Sequence, residues 1–192
     1  MKQQTLEYPF TAATVKRLKV GDLVKLTGKI YTGRDRFHQY LADGGKCPVP
    51  LKDGAIYHCG PVAILRDRQW QIRAAGPTTS TRQEPFTEDL IARHQVRVII
   101  GKGGMGEKTR AACRRYGCIY LHAVGGAAAL LAQRIERVDG VHFLKEFGMA
   151  DAVWELVVRD LEAVVAIDAH GRSLQKRVAA SSRRALKALL QG

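Results

Sequence analysis

Between residues 87 and 124 the sequence alternates between patterns typical of helices and patterns typical of strands. Residues 96–100 and 119–124 are mostly apolar and include β-branched side chains, so they predict two strands. Residues 107–116, between these strands, predict a helix, and Gly117 follows them as the kind of residue that commonly ends a helix. This alternation restricts the chain to an α/β fold.

The rest of the chain adds mainly strands to this α/β unit. Residues 20–32 and 55–59 predict strands, and residues 62–65 and 70–75 predict a hairpin. The other predicted elements are a short helix at 34–42, a helix from a Thr87 N-cap to His94, a helix at 127–137, and late strands at 153–158 and 164–167. The 192 residues show no clear linker or repeat, so we expect one layer-packed domain with a mixed sheet and flanking helices.

Positive charge dominates the sequence. The 31 Lys and Arg residues outnumber the 18 Asp and Glu residues, which gives a formal net charge of +13. Residues 169–192 contain six basic residues and no acidic one, and the rest of the chain is still basic. Such a charge suits nucleic acid, acidic surfaces or small anionic substrates. We interpret the end of the chain as a solvated or partner-facing amphipathic helix, with a nucleic-acid-binding arm as the alternative.

The four cysteines do not indicate a metal or cluster site within this chain. Cys47, Cys59, Cys113 and Cys118 lack the CxxC spacing typical of such sites. We therefore expect reduced thiols in a cytoplasmic protein. Residues 1–10 lack the apolar core of a signal peptide, and no run of about 18 apolar residues occurs, so a membrane is not an expected partner.

Four glycines occupy residues 101–106, between the predicted strand and helix. Glycine-rich turns at a helix N-terminus can bind phosphate through backbone N–H groups. The nucleotide-binding loop ends in Gly-Lys-Ser/Thr, whereas Glu107 separates Gly106 from Lys108 in this sequence. We therefore favour a smaller anion bound by Lys102 and the loop amides, with nucleotide binding and a purely structural turn as alternatives.

Two further polar segments have residue types that suit a carboxylate. In residues 76–82, four consecutive hydroxyl side chains precede Arg82, whose guanidinium can hold a carboxylate with two parallel N–H bonds. In residues 32–38, Arg34 opens a predicted helix and His38 lies one turn later on the same face. Taken singly, such segments are more often a Thr/Ser-rich loop, or surface charges beside a structural histidine.

The order of these polar segments resembles that of a known family. The segments are Thr27-Gly28, Gly33-Arg34-Asp35-x-x-His38, His58-Cys59-Gly60-Pro61, Gly76-Pro77-Thr78-Thr79-Ser80, Gly101-Lys102-Gly103-Gly104-Met105-Gly106 and Gly125-Gly126. Together they resemble the β subunit of class I fumarate hydratase and L-tartrate dehydratase, which is also the C-terminal domain of single-chain class I fumarases. The resemblance covers residues 20–174, and the ordered set is far more specific than any one motif.

The resemblance implies a fold, a cofactor and a partner. The implied fold is a swivelling β/β/α domain, which we place at residues 1–175, followed by a basic helical tail at residues 176–192. The implied partner is an α subunit that holds a [4Fe-4S] cluster with three cysteines and leaves one iron open to substrate. No metal ligand is then expected from this chain. A homodimer or an α2β2 assembly is implied, without nucleic acid.

The resemblance also indicates which residues move protons. Thr78 matches the threonine proposed as the catalytic base in the family. Asp35 and His38 match the rest of the family's Arg-Asp-x-x-His segment and are further catalytic candidates. An ordinary hydroxyl is a weak base, so Thr78 would need local cations such as Arg82 and Lys102, or relay to another group.

The residues that bind substrate carboxylates follow from the same match. Arg34, Arg82 and Lys102 correspond to the family's carboxylate-binding residues, and Thr79 and Gly103 are further candidates beside them. Cations on a carboxylate stabilise the negative charge that develops when the neighbouring proton is removed. They also fix the orientation of the substrate.

The implied activity is the reversible hydration of fumarate to malate by an iron–sulfur hydro-lyase that is active only with its α partner. The alternative is an L(+)-tartrate dehydratase β subunit, because both enzymes use the same anion-binding residues. Gln83 stands where many family members have Met, which leaves the identity of the diacid open. A nucleic-acid-binding or nucleotide-binding protein is a distant alternative.

Overall fold

The computed structural model describes residues 2–191, and in that range the chain forms nine strands and seven α-helices. The strands are β1 (Gln3–Glu7), β2 (Leu23–Thr32), β3 (Ala55–Tyr57), β4 (Val62–Arg66), β5 (Gln69–Ala74), β6 (Val98–Gly101), β7 (Ile119–His122), β8 (Ile135–His142) and β9 (Val153–Ile167). The helices are α1 (Ala12–Lys16), α2 (Asp35–Ala42), α3 (Glu84–His94), α4 (Glu107–Tyr116), α5 (Ala128–Ala132), α6 (Leu144–Phe147) and α7 (Leu174–Leu190). A 3-10 turn, Ser80–Gln83, leads directly into α3.

Seven of the strands form one mixed sheet in the order β1-β2-β3-β6-β7-β9-β8. The strands β2, β3, β6 and β7 are parallel neighbours, whereas β9 runs antiparallel to β7 and to β8. The long strand β9 also pairs with β2 in antiparallel register, from Leu23 opposite Val164 to Tyr31 opposite Glu155. This second pairing closes β2, β3, β6, β7 and β9 into a ring. β4 and β5 form a separate hairpin.

The parallel strands are buried on both faces. In β3, β6 and β7 the central residues Ile56, Ile99 and Tyr120 pack in one core cluster, which also includes buried residues of α2, α3 and α4. Their neighbours along each strand pack in a second cluster with Trp154 and Leu156 of β9. Burial on both faces explains why these strands are continuous apolar runs rather than alternating patterns.

The parallel arrangement brings four strand ends to one side of the sheet. Residues 33–34 follow β2, residues 58–59 follow β3, residues 102–103 follow β6 and residues 123–124 follow β7. We call these four strand ends the carboxyl edge. In α/β sheets ligands commonly bind outside the carboxyl ends of parallel strands, where loops are held by a rigid frame. We therefore expect a ligand-binding site at the carboxyl edge.

The predicted α/β domain with a mixed sheet and flanking helices is confirmed, but three local predictions are wrong. The predicted helix at 127–137 stops at Ala132, because residues from Ile135 onward pair with β9 as β8. The two late strands are one continuous strand, since β9 pairs with three neighbours along its length. Thr87 is not an N-cap: α3 begins at Glu84 with a proline in its first turn, and Thr87 Oγ1 donates to the Gln83 carbonyl at 2.7 Å.

The helix α7 lies on the surface of the domain. Ser173 caps its N-terminus by accepting from Lys176 N–H at 3.4 Å, and none of its residues is buried. Its first turn contacts the body of the domain through Gln175, whose Nε2 donates to the Gly103 carbonyl at 3.3 Å, and through an ion pair of Lys176 with Glu107. In residues 2–191 no helix combines the length and apolar character needed to cross a bilayer.

Candidate functional site

The hydroxyl-rich segment is held at the carboxyl edge by backbone hydrogen bonds. Thr78 N–H donates to the His58 carbonyl at 2.7 Å, and Lys102 N–H donates to the Thr78 carbonyl at 3.1 Å. Ser80 N–H then donates to the Lys102 carbonyl at 3.1 Å. The segment therefore links the end of β3 to the end of β6. Thr78 is half-buried here and Thr79 is exposed.

Arg34 lies at the end of β2, on the residue that precedes α2. Its Nη1 is 3.4 Å from the Ala150 carbonyl and its Nε is 3.9 Å from Asp151 Oδ1, where β9 is about to begin. The guanidinium lies against the backbone of Gly60, since a Cβ at that position would stand 2.5 Å from Arg34 Nη1. A glycine is therefore required at residue 60 for this arginine to reach the site.

Arg82 is oriented by a carboxylate in the first turn of α2. Asp35 Oδ2 is 3.2 Å from Arg82 Nη2, and Asp35 Oδ1 accepts from Gln83 Nε2 at 2.8 Å. The Arg82 side chain remains about half exposed, at 49%. In this structure Asp35 contacts Arg82 and Gln83, and through them it links α2 to the 3-10 turn.

Lys102 is a cation without a carboxylate partner among residues 2–191, since no Asp or Glu oxygen in that range lies within 4.0 Å of its Nζ. Its stem runs beside Gly125 after β7, with Cδ 3.6 Å from where a Cβ on that glycine would be. Gly103 follows with a φ of +74°, and its carbonyl accepts from Tyr120 Oη at 3.1 Å. The edge thus presents a positive charge that no carboxylate of residues 2–191 neutralises.

Two buried histidines lie beneath this surface. The rings of His38 and His58 pack edge to face with centroids 5.1 Å apart. Burial lowers the pKa of His38 to about 4, and it lowers the pKa of His58 well below the ordinary value, with the nearby His38 and Arg82 acting in the same direction. Both rings are therefore uncharged at neutral pH. His58 Nδ1 lies 2.8 Å from Ser80 Oγ, which is also buried.

Buried polar atoms that lack a hydrogen-bond partner concentrate here. Among residues 2–191 seven such side-chain atoms occur, and six of them are in this group of side chains. These six are Arg34 Nε, both ring nitrogens of His38, His58 Nε2, Gln83 Oε1 and Asp151 Oδ1, and the seventh is Tyr31 Oη. Buried polar atoms are almost always paired in folded proteins, so a concentration of exceptions indicates a functional region.

The amino end of α4 is occupied by the protein's own carboxylate. Glu84 accepts from Gly106 N–H at 2.8 Å, from Thr109 N–H at 3.1 Å and from Thr109 Oγ1 at 2.6 Å. These are the groups that a phosphate at this helix N-terminus would use. The glycine-rich turn therefore carries Lys102 to the site without offering the helix end to a nucleotide.

The residues described do not fit an iron–sulfur cluster or a metal ion. No group of three or more His, Cys, Asp or Glu side chains converges within residues 2–191. The four cysteines are free thiols, and Cys59, which lies at the carboxyl edge, is buried. Burial raises the pKa of Cys59 to about 12, which disfavours the thiolate that a cluster requires.

The predicted site residues come from three separate segments of the chain, 34–38, 78–82 and 102–103, and the structure brings them to the carboxyl edge. Arg34 follows β2, Thr78 bonds to the residue after β3, Lys102 follows β6, and Arg82 is tied to α2. The sequence prediction missed His58, Ser80 and Asp151 as members of this group. His58 and Ser80 stand in two of the segments that carry the family resemblance, which is a signal for both, whereas no local pattern points to Asp151.

Comparisons with known proteins identify the family to which the chain is similar. The family described as Fumarase C-terminus matches residues 1–178. A provisionally named class I fumarate hydratase of Geobacillus stearothermophilus is 49% identical over 93% of the chain, which spans 34% of that relative. A provisionally named L(+)-tartrate dehydratase subunit beta of Methanocaldococcus jannaschii is 44% identical over 90% of the chain and 93% of its own length.

A third relative is the L(+)-tartrate dehydratase subunit beta of Escherichia coli, which is 34% identical over 90% of this chain and 86% of its own length. The chain thus spans about a third of the fumarate hydratase relative and most of the two separate beta subunits. A family match over nearly the whole chain, together with relatives above 30% identity that it largely covers, is sufficient to assign membership. The chain belongs to the Fumarase C-terminus family.

Proposed function

We propose that this chain is the β subunit of an iron–sulfur-dependent hydro-lyase that hydrates fumarate to malate reversibly. The names of its relatives, class I fumarate hydratase and L(+)-tartrate dehydratase subunit beta, support this class of reaction. The name of two of these relatives, subunit beta, supports a partner chain that supplies the rest of the enzyme. We assign the [4Fe-4S] cluster to that α partner, because the residues described here offer no ligand set.

The observation that carries the proposal is the set of cations at the carboxyl edge. Arg34 follows β2, Arg82 is tied to the first turn of α2 by Asp35, and Lys102 follows β6 without a carboxylate partner among residues 2–191. Guanidinium groups bind carboxylates through paired N–H bonds, and an ammonium adds a point charge. A small dicarboxylate carries two such groups, which suits several cations at the same edge of the sheet.

In the proposed reaction these residues bind the carboxylates and stabilise charge. Removal of a proton next to a carboxylate pushes negative charge into that group, and fixed cations favour this change. Arg82, held by Asp35, and Lys102, held by the turn after β6, are suited to this task. Thr79 and Gly103 lie beside them and are proposed to complete the binding surface.

Thr78 is proposed to carry the proton. Its Oγ1 donates to the His58 carbonyl at 3.1 Å, so the lone pairs of the oxygen stay available to accept. Lys102 and Arg82 supply the positive field that a hydroxyl needs in order to act as a base. We propose that Asp35 acts on the chemistry through Arg82, and that the buried His38 acts through its contact with His58.

The choice of diacid is the second question at this site. An L(+)-tartrate dehydratase β subunit is the alternative, favoured by the relatives that are separate beta subunits of that name. Gln83 is buried and donates to Asp35, which orients Arg82. We propose that Gln83 influences substrate choice through this contact.

The proposal also covers the domain architecture, the assembly and the cellular compartment of the protein. We propose a swivelling β/β/α domain at residues 1–175 with a basic helical tail at 176–192, and a homodimer or α2β2 assembly without nucleic acid. The closed ring, with α2, α3 and α4 packed against one face of its parallel strands, supports the domain architecture. The four free thiols support a reducing compartment such as the cytoplasm.

The decisive experiment is an assay of the anaerobically assembled pair on fumarate, malate and both tartrates. This chain alone is expected to be inactive, and the pair with its reconstituted cluster is expected to turn over fumarate and malate. Activity on a tartrate alone would favour the alternative. No turnover of any small hydroxy diacid would refute the proposal.

Arg82 allows a matched test in the same assay. Replacing Arg82 with Ala should lower the rate by on the order of 10²–10³, because an oriented charge on the substrate is lost. The control is Arg68→Ala in the hairpin turn, where the side chain is also exposed. An equal rate for both variants would remove Arg82 from the site.

A further inference from the structure

His58 holds Thr78 through its backbone. Its carbonyl oxygen accepts two hydrogen bonds from Thr78, one from N–H at 2.7 Å and one from Oγ1 at 3.1 Å. Its own N–H donates to the Ile100 carbonyl of β6 at 2.8 Å. The position of Thr78 is therefore set by the ends of two buried strands, which are more rigid than a loop.

The ring of His58 fixes the same segment a second time. His58 Nδ1 is 2.8 Å from the hydroxyl of Ser80, two residues beyond Thr78, and both side chains are fully buried. A Cβ at Gly101 would stand 1.8 Å from Ser80 Oγ and 3.2 Å from His58 Nδ1, so a glycine is needed there to admit the pair. Losing either partner would leave a buried polar group unsatisfied.

The ring is uncharged and has one orientation. Burial and the neighbouring His38 and Arg82 hold the pKa of His58 well below its ordinary value. A neutral imidazole has one donor nitrogen and one acceptor nitrogen, and the Ser80 hydroxyl can pair with Nδ1 in either tautomer, so the bond to Ser80 holds the ring in place whichever nitrogen carries the proton. The contact with the His38 ring restricts how far the ring can turn.

We propose that His58 is a positioning residue for the hydro-lyase reaction, which it serves by fixing the Thr78 hydroxyl relative to Lys102. The inference rests on the proposed function, in which Thr78 carries the proton and Lys102 binds a carboxylate. The link is continuous: His58 bonds to Thr78 and Ser80, Thr78 bonds to Lys102, and Lys102 bonds back to Ser80.

Loss of the hydrogen bond between the His58 ring and Ser80 should lower kcat more than it changes KM. Without the ring bond, residues 78–80 shift against Lys102, and a displacement of about 1 Å between reacting groups costs on the order of 10² in rate. Arg34 is held by the Ala150 carbonyl and lies near Asp151, so we expect substrate binding to depend less on the bond between His58 and Ser80. We expect kcat to fall by on the order of 10-fold to 100-fold, while KM changes by less than about 3-fold.

Two substitutions of His58 test whether the hydrogen bond to Ser80 matters, or only the size of the side chain. The amide of His58→Asn reaches about where Nδ1 lies and can keep the bond to Ser80, whereas the amide of His58→Gln extends toward the position of Nε2. Hydrogen exchange on the full chain without its partner is the first measurement. The amides of Thr78 and Lys102 should exchange faster in His58→Gln and remain protected in His58→Asn and in the control His94→Gln. This measurement does not depend on activity, so it is valid even if the proposed function fails.

Kinetics of the assembled enzyme are the second measurement. His58→Gln should lose kcat with little change in KM, and His58→Asn should restore most of it. If His58→Gln does not fold, Ser80→Ala removes the same bond and should give the same pattern. Unchanged protection of Thr78 in the variants that lose the bond would overturn the proposal. So would an unchanged kcat in an active pair.

Discussion

Gly101 is the residue where a single methyl group should disturb the carboxyl edge most. In Gly101→Ala the new Cβ would stand 1.8 Å from Ser80 Oγ, so the buried pair of Ser80 and His58 would have to move. We expect the free energy of unfolding to fall by about 1–3 kcal/mol, as is usual for overpacking. The control is Gly104→Ala, whose Cβ would meet no atom closer than 3.7 Å. Denaturant titrations that show equal losses would contradict this packing.

Buried histidines also make the stability depend on pH. His38 has a pKa of about 4 when folded, whereas an unfolded histidine titrates near 6.5, so between these values only the unfolded state takes up the proton. The free energy of unfolding should therefore fall as the pH drops from about 6.5 to 4, by up to about 1.4 kcal/mol per pH unit for this residue.

The test is urea unfolding between pH 4.5 and 7. His38→Gln should reduce the slope of stability against pH, whereas His170→Gln, at an exposed position, should leave the slope in place. A slope that does not change in His38→Gln would show that His38 is not buried in its neutral form.

Among the elements, α4 depends on a residue from another helix. Glu84 of α3 accepts three hydrogen bonds at the start of α4, from Gly106 and Thr109. Glu84→Ala should lower the free energy of unfolding by about 1–3 kcal/mol, because buried donors lose their acceptor and the helix end loses a favourable charge. Glu88→Ala, exposed on the same helix, is the control and should change stability by less than about 0.5 kcal/mol. Equal losses in thermal or chemical unfolding would argue against the contact.

For the helix α7 we expect the opposite result, namely that losing most of the helix changes the stability of the domain little. None of its residues is buried, and its hydrogen bonds and ion pair to the body of the domain are in its first turn, at Gln175 and Lys176. Removing residues 178–192 should therefore change the free energy of unfolding of the rest by less than about 1 kcal/mol. A loss of several kcal/mol would mean that the later turns contribute to the fold.

The elements that sequence patterns predicted best are those with local signals. The helix at 107–116 ends at Gly117, whose φ of +70° is a local requirement, and the hairpin turns at Asp67 and Arg68. The pattern failed for β8, because residues from Ile135 onward are extended by their pairing with β9, a contact between distant parts of the chain. The roles of Thr78, Asp35 and His38 stay predictions, since a role depends on a substrate.

At the scale of the whole molecule, the closed ring of strands explains why residues far apart in sequence can form one site. β9 closes the ring by pairing with both β2 and β7, and the four parallel strands within it end on the same side. No single segment holds enough charge to bind a diacid, and the glycines at 60 and 101 allow the side chains to approach. We propose that this carboxyl edge binds the carboxylates of the substrate, while another chain completes the site.

Lys102 tests this claim most directly, because it is a cation of the edge without an internal carboxylate partner among residues 2–191. The measurement is kcat/KM for fumarate in the assembled pair, for Lys102→Gln and for the control Lys108→Gln on the exposed side of α4. We predict that Lys102→Gln loses on the order of 10²–10³ in kcat/KM and that Lys108→Gln keeps its value. An unchanged kcat/KM for Lys102→Gln would contradict the account.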